Sequence, residues 1–200
     1  MDINTNIITE YNNKDIKDFP RLLETCCYKI FFIHNKVLNQ YYMNGAISNI
    51  NSISNWVLSS TNINNKVNPV LKGPYGINLF FLNNNLCNID IGHNLELSWF
   101  SYNAEIQTIL TEIIELIIKV LNGRNYIFIP DAYFGSSKRI DVYIKYSSIV
   151  EIEKFLLTND VYPKSRSEIR RLMNDEELED SKPDVVGYDT NGYLVKSLEK

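Results

Sequence analysis

INLFFLNNNLCNIDIGHNLELSWFSYNAEIQTILTEIIELIIKVLN, running from Ile77 to Asn122, is the stretch whose reading decides the fold. It opens in period two, with Ile77, Leu79 and Phe81 on one side of an extended segment. Asn83-Asn84-Asn85 follows, residues that tolerate left-handed geometry, and Leu86 to Ile91 returns as the partner strand. Gly92 to Asn94 supplies a second turn. Leu95-Glu96-Leu97-Ser98-Trp99 then alternates so cleanly that one face is expected to be buried and the other wet. From Ile106 the period changes to that of a helix, with Ile106, Ile109, Leu110, Ile113, Ile114, Ile117 and Leu121 forming one apolar stripe. Asn103 is placed to cap this helix and Asn122-Gly123 to stop it. β-Branched residues are mediocre helix formers, so packing against the sheet, not propensity, must hold it.

Upstream, Leu23, Cys26, Cys27, Ile30, His34, Val37, Leu38 and Tyr41 recur at three and four, which predicts a long helix over roughly Asp18 to Met43 with Asp18 as its cap. Ser52 to Ser59 is expected to be a short second helix, and Asn62 to Gly76, with Pro69 and Gly73-Pro74, a hinge loop. Downstream, Tyr126 to Ile129 and Arg139 to Tyr146 read as strands, Ser148 to Leu157 and Ser165 to Glu179 as helices, and Pro183 to Lys196 as a small hairpin. The expectation is an α+β fold: an antiparallel sheet of about five strands with a packed amphipathic helix, preceded by a long N-terminal helix. Three regions follow, 1–70 helical, 71–160 the α+β core, and 161–200 a helix and hairpin extension.

The net charge of −4 provides no field for a polyanion, so a nucleic-acid partner is disfavoured. Charge is also spread evenly along the chain, +1, −3 and −2 over 1–70, 71–160 and 161–200, with no tail of one sign. The chain carries 26 Asn and 26 Ile beside 13 Tyr and 8 Gly, a bias of the kind AT-rich coding produces. Met1 to Glu10 has neither a basic nor an apolar signal segment, and Ile106 to Leu121 contains Glu112, Glu115 and Lys119, so a cytoplasmic protein without a membrane partner is expected. Cys26, Cys27 and Cys87 do not form a disulfide framework and read as buried free thiols.

No phosphate-cradling glycine loop, nucleophile elbow, Cys-x-x-Cys pair or His-Glu-x-x-His is present, and His34 and His93 are the only histidines. No cofactor and no metal are expected, and a non-enzymatic role is favoured. Asp131, Asp141 and Lys145 are reminiscent of nuclease metal sites, but the acid and lysine are four apart where such sites need two. Asp184 and Asp189 open a similar pattern that the last residues do not complete. Gly135 to Arg139 has the composition of a phosphate loop and equally that of a tight turn. The surplus lies in aromatic residues, among them Tyr41-Tyr42, Trp99-Phe100 and Tyr146. Aromatics are enriched where proteins bind proteins, and Glu96, Ser98, Tyr102, Tyr133, Phe134 and Tyr143 are the expected partner contacts.

The block Gly76 to Gly123, with Ile89-Asp90-Ile91-Gly92 leading to Leu95 through Ser101 and a helix ending at Asn122-Gly123, resembles small bacterial immunity proteins of toxin–immunity pairs. The resemblance covers about a quarter of the chain. It implies a non-enzymatic protein that binds and blocks a cognate toxin. A metal-dependent nuclease-like defence protein, or a structural subunit oligomerising through its first helix, stand as alternatives. Composition fixes neither the partner nor the oligomeric state.

Overall fold

The computed structural model describes residues 4–12, 15–41, 52–53, 55–63, 65–91, 104–131, 140–165, 167–168 and 192–198. Among the described residues eight strands, where about five were expected, build one sheet: β1 (Asn4–Glu10), β2 (Val57–Ile63), β3 (Lys66–Lys72), β4 (Asn78–Phe81), β5 (Leu86–Asp90), β6 (Asn125–Asp131), β7 (Tyr162–Pro163) and β8 (Gly192–Ser197). Their spatial order is β2-β3-β4-β5-β1-β6-β8-β7, antiparallel throughout except for the short β7–β8 pair. Helices α1 (Phe19–Tyr41) and α2 (Ala104–Val120) cover one face, while α3 (Ile140–Tyr143) and α4 (Ile149–Thr158) lie against the other. The α+β class and the long N-terminal helix are as the sequence indicates.

One of the strands without a counterpart in the sequence pattern, β1, lies at the centre of the sheet. β1 pairs with β5 on one side and β6 on the other. Consecutive Ile7 and Ile8 are both fully buried, Ile7 beneath the α1–α2 layer and Ile8 beneath α4. A strand covered on both faces has no period-two signature.

β4 and β5 pair as expected, with Leu79 opposite Ile89 and Phe80 opposite Asn88. Asn83 secures their turn and more. Its Oδ1 accepts from the backbone N–H of Asn85 and Leu86, each at 2.9 Å, and its Nδ2 donates to the carbonyls of Ile144 and Tyr146 at 3.0 and 2.7 Å. The turn is thereby tied to the segment that feeds α4.

α2 buries the predicted stripe and Ile118 besides. Its end is a Schellman arrangement, in which Asn122 takes φ +58°, Asn122 N–H donates to Lys119 O and Gly123 N–H to Ile118 O. Glycine is required next because a Cβ on Gly123 would sit 2.5 Å from Thr9 Oγ1 and 2.7 Å from Glu10 O. The chain crosses β1 there at backbone distance.

Four local expectations are corrected. Asp15, not Asp18, caps the start of the first helix, accepting from Lys17 N–H at 3.2 Å ahead of a 3-10 turn at Ile16–Asp18. Val57–Ile63 and Lys66–Lys72 pair as the β2–β3 hairpin in place of a short helix and a hinge loop. The strand expected over Arg139 to Tyr146 is absent from its described residues, 140–146, because Ile140–Tyr143 is helical; Tyr143 and Ile144 both turn toward the α4 side of the sheet. Cys26 is exposed, whereas Cys27 and Cys87 are buried; burial pushes the Cys27 thiol up to about 12 and Cys87 higher still. The expected strand at Leu95 to Trp99, the cap at Asn103 and most of the expected Ser165 to Glu179 helix and Pro183 to Lys196 hairpin lie outside the described residues. Of these, Ser167 and Glu168 are helical, and Gly192–Ser197 pairs with β6.

Candidate protein-binding edge

β2 reads Val-Leu-Ser-Ser-Thr-Asn-Ile: no charge, no proline, no glycine. Among the described residues it ends the sheet, with β3 as its single neighbour. The hairpin closes on the Ile63–Lys66 pair, which fixes the alternation of its ladder. Residues 59, 61 and 63 exchange hydrogen bonds with β3, so Leu58, Ser60 and Asn62 turn their N–H and C=O groups outward. Pro69, opposite Ser60, fits this alternation, since its nitrogen is not needed by β2. Edge strands are ordinarily blunted by lysine, proline or a bulge, and β2 carries none of these.

Apolar side chains gather around this edge. Val57 is 59% exposed, Leu58 42% and, on β3, Val67 73%. Just before β2, buried Trp56 lies against Gly73, where a Cβ would fall 2.5 Å from its ring, and its backbone N–H donates to Glu24 Oε1 of α1. Trp56 thus fixes the flank of α1 beside the edge. Phe31 and Asn35 hold the same flank against Tyr75, whose ring centroid is 5.6 Å from that of Phe31 and whose hydroxyl donates to Asn35 Oδ1. Tyr75 is fully buried at φ +57°, a conformation that costs a bulky residue about 1–3 kcal/mol. One turn on from Glu24, Tyr28 stacks on Phe32 with centroids 5.8 Å apart, both rings substantially exposed. Helical geometry turns Tyr28 about 40° and Phe32 about 80° away from Glu24, beyond the Glu24–Phe31–Asn35 line.

A second feature lies on the α4 side of the sheet. Asn78, Asp90 and Asn6 occupy successive register positions on β4, β5 and β1, and Asn88 follows two residues before Asp90 on the same face. Asn78 Nδ2 donates to Asp90 Oδ2 at 3.2 Å and to Gly76 O at 3.1 Å. Desolvation raises the Asp90 carboxyl to about 6 against the lowering effect of that hydrogen bond. Asn88 is 2% exposed and its Oδ1 has no hydrogen-bond partner among the described residues.

Of the residues expected to meet a partner, Glu96, Ser98, Tyr102, Tyr133 and Phe134 lie outside the described residues. Tyr143 is 3% exposed and packs edge-on against Phe155 at 6.5 Å, so its ring belongs to the core beneath α4. Asp184 and Asp189 are likewise outside; Asp131 closes β6 and Asp141 sits in α3. Among the described residues no three His, Cys, Asp or Glu side chains come together as a metal site, and no helix is long and apolar enough to cross a membrane. The edge escaped sequence reading because Pro69 and the asparagines of 62–65 looked like loop punctuation. Its signal was the alternation of Val57, Ser59, Thr61 and Ile63 ahead of Asn65, which takes φ +61°. Comparison with family models, with curated proteins and with solved structures finds no match for this chain.

Proposed function

We propose that this protein is a non-enzymatic protein-binding module of the inhibitor or immunity type, engaging its partner along the β2 edge and the adjoining flank of α1. The observation that carries this reading is the edge itself: seven uncharged residues with outward backbone groups, exposed Val57 and Leu58 among them and exposed Val67 on β3, while the exposed Tyr28–Phe32 pair lies on α1, the helix whose Glu24 accepts from Trp56 N–H just before β2. An extended partner segment adding to β2 would satisfy those backbone groups, and the aromatic pair would supply the rigid apolar anchors that dominate binding energy. The resemblance of Gly76 to Gly123 to immunity proteins supports a toxin domain as the partner, and a cytoplasmic encounter is part of the same proposal.

The test is co-expression with the product of the adjacent gene in the source genome. A 1:1 complex by size-exclusion chromatography with light scattering, together with rescue of growth from that product, is expected. Neither complex nor rescue would remove the proposal.

A further inference from the structure

The polar row beneath the α4 side of the sheet takes no part in the edge, and it is expensive for the fold. An orphaned buried acceptor costs about 1–3 kcal/mol, and buried charges are ordinarily paired or bound to a cation. Here Asn88 Oδ1 is an orphan on a residue 2% exposed. Asp90 lies two positions along the same face, and its described contact is the single hydrogen bond from Asn78. Asn6, 5% exposed, follows Asp90 in register on β1, since Ile7 pairs with Ile89 and Ile8 with Asn88. Directly opposite neighbours, Asn78 with Asp90 and Asp90 with Asn6, stand about 4.5–5.5 Å apart at Cβ, and Asn88 lies roughly 7 Å from Asp90 along β5 on the same face, which brings the four side chains around one patch. Asn78 is already oriented: its amide nitrogen is taken by Gly76 O and Asp90 Oδ2, which leaves its carbonyl oxygen as the free end. Lys72, opposite Asn78 in register, is exposed and forms no ion pair with the row. Among the described residues the row therefore offers one carboxylate and three amide oxygens with no cation of its own.

We infer that Asn6, Asn78, Asn88 and Asp90 form a binding site for a hard metal cation of the Ca²⁺ class. Oxygen-only donors on a rigid sheet suit an ion that accepts six to eight such ligands in flexible geometry, and they do not suit zinc, which wants nitrogen or sulfur. A single carboxylate sets the affinity at the weak end for such sites, a Kd on the order of 1 mM. Asp90 supplies the charge; the amides position the ion and complete its shell.

The experiment is thermal unfolding of the full chain at pH 7.5 in 0–20 mM CaCl₂ at constant ionic strength, with Asp90→Asn and Asn88→Leu alongside. Wild type is expected to rise saturably by roughly 4–7 °C, the shift that binding at twentyfold Kd gives a chain of this size. Asp90→Asn keeps the fold and loses the response, and Asn88→Leu weakens it at least fivefold. A wild-type midpoint unmoved by Ca²⁺, or moved equally in Asp90→Asn, overturns the inference, as does an equal shift from NaCl of matched ionic strength. In the first case a buried water satisfies Asn88 instead.

Discussion

Asp90 shows how one side chain on this sheet trades stability against chemistry. Its carboxyl is raised by burial to about 6 in the folded chain, against an ordinary value near 4 when unfolded. Between those values the folded state holds the proton and the unfolded state releases it. Stability from this group is therefore fully present below about pH 4 and is lost as pH rises to about 6. Asp90→Asn is predicted to raise stability at pH 7 by ~1–3 kcal/mol and to flatten the pH 4–6 portion of the curve, measured by urea unfolding in the absence of divalent cations. Gly123 works the other way. Gly123→Ala drives a Cβ into Thr9 Oγ1 and Glu10 O, so a loss of about 1–3 kcal/mol is expected from the same measurement. Asn83 illustrates what sequence conveys at this scale and what it omits. Its place in a turn was legible because asparagine suits such positions, but its two bonds to Ile144 and Tyr146, 61 and 63 residues away, leave no local mark.

Among the elements, α2 was legible almost residue by residue, because a stripe buried on one side has a 3.6-residue period that nothing else imitates. Ile113, fully buried at its centre, tests how far packing holds the helix. Ile113→Ala is predicted to cost ~2–5 kcal/mol in denaturant unfolding without lowering the helical signal of the folded state. Shorter elements were not legible in the same way. Residues 139–146 offered Ile140, Val142 and Ile144 at period two, yet Ile140, Tyr143 and Ile144 fit a helical face equally well, and over so few residues the periods do not separate. The packing of Tyr143 and Ile144 around the α4 layer decides it. β1 was obscured by the opposite condition, since Ile7 and Ile8 are both buried and alternation disappears. The β2–β3 hairpin was obscured by Pro69, which normally demotes a strand but here faces its nitrogen away from β2. The candidate edge was hidden with it, because no pattern in a single strand says whether it will end a sheet.

At the scale of the molecule, that position at the end of the sheet is what gives β2 its proposed role. Among the described residues the sheet gathers strands from residue 4 to residue 197 and finishes on an edge without a blunting charge. Leu58→Lys supplies such a charge at a 42% exposed site. It is predicted to change unfolding free energy by less than ~1 kcal/mol while weakening partner binding at least tenfold by calorimetry. The most direct measurement is amide hydrogen exchange of the chain alone and in its 1:1 complex. The Leu58, Ser60 and Asn62 amides are predicted to exchange rapidly in the free protein and to become protected at least a hundredfold on binding. A stoichiometric complex in which those three amides exchange as they do in the free chain would contradict the account.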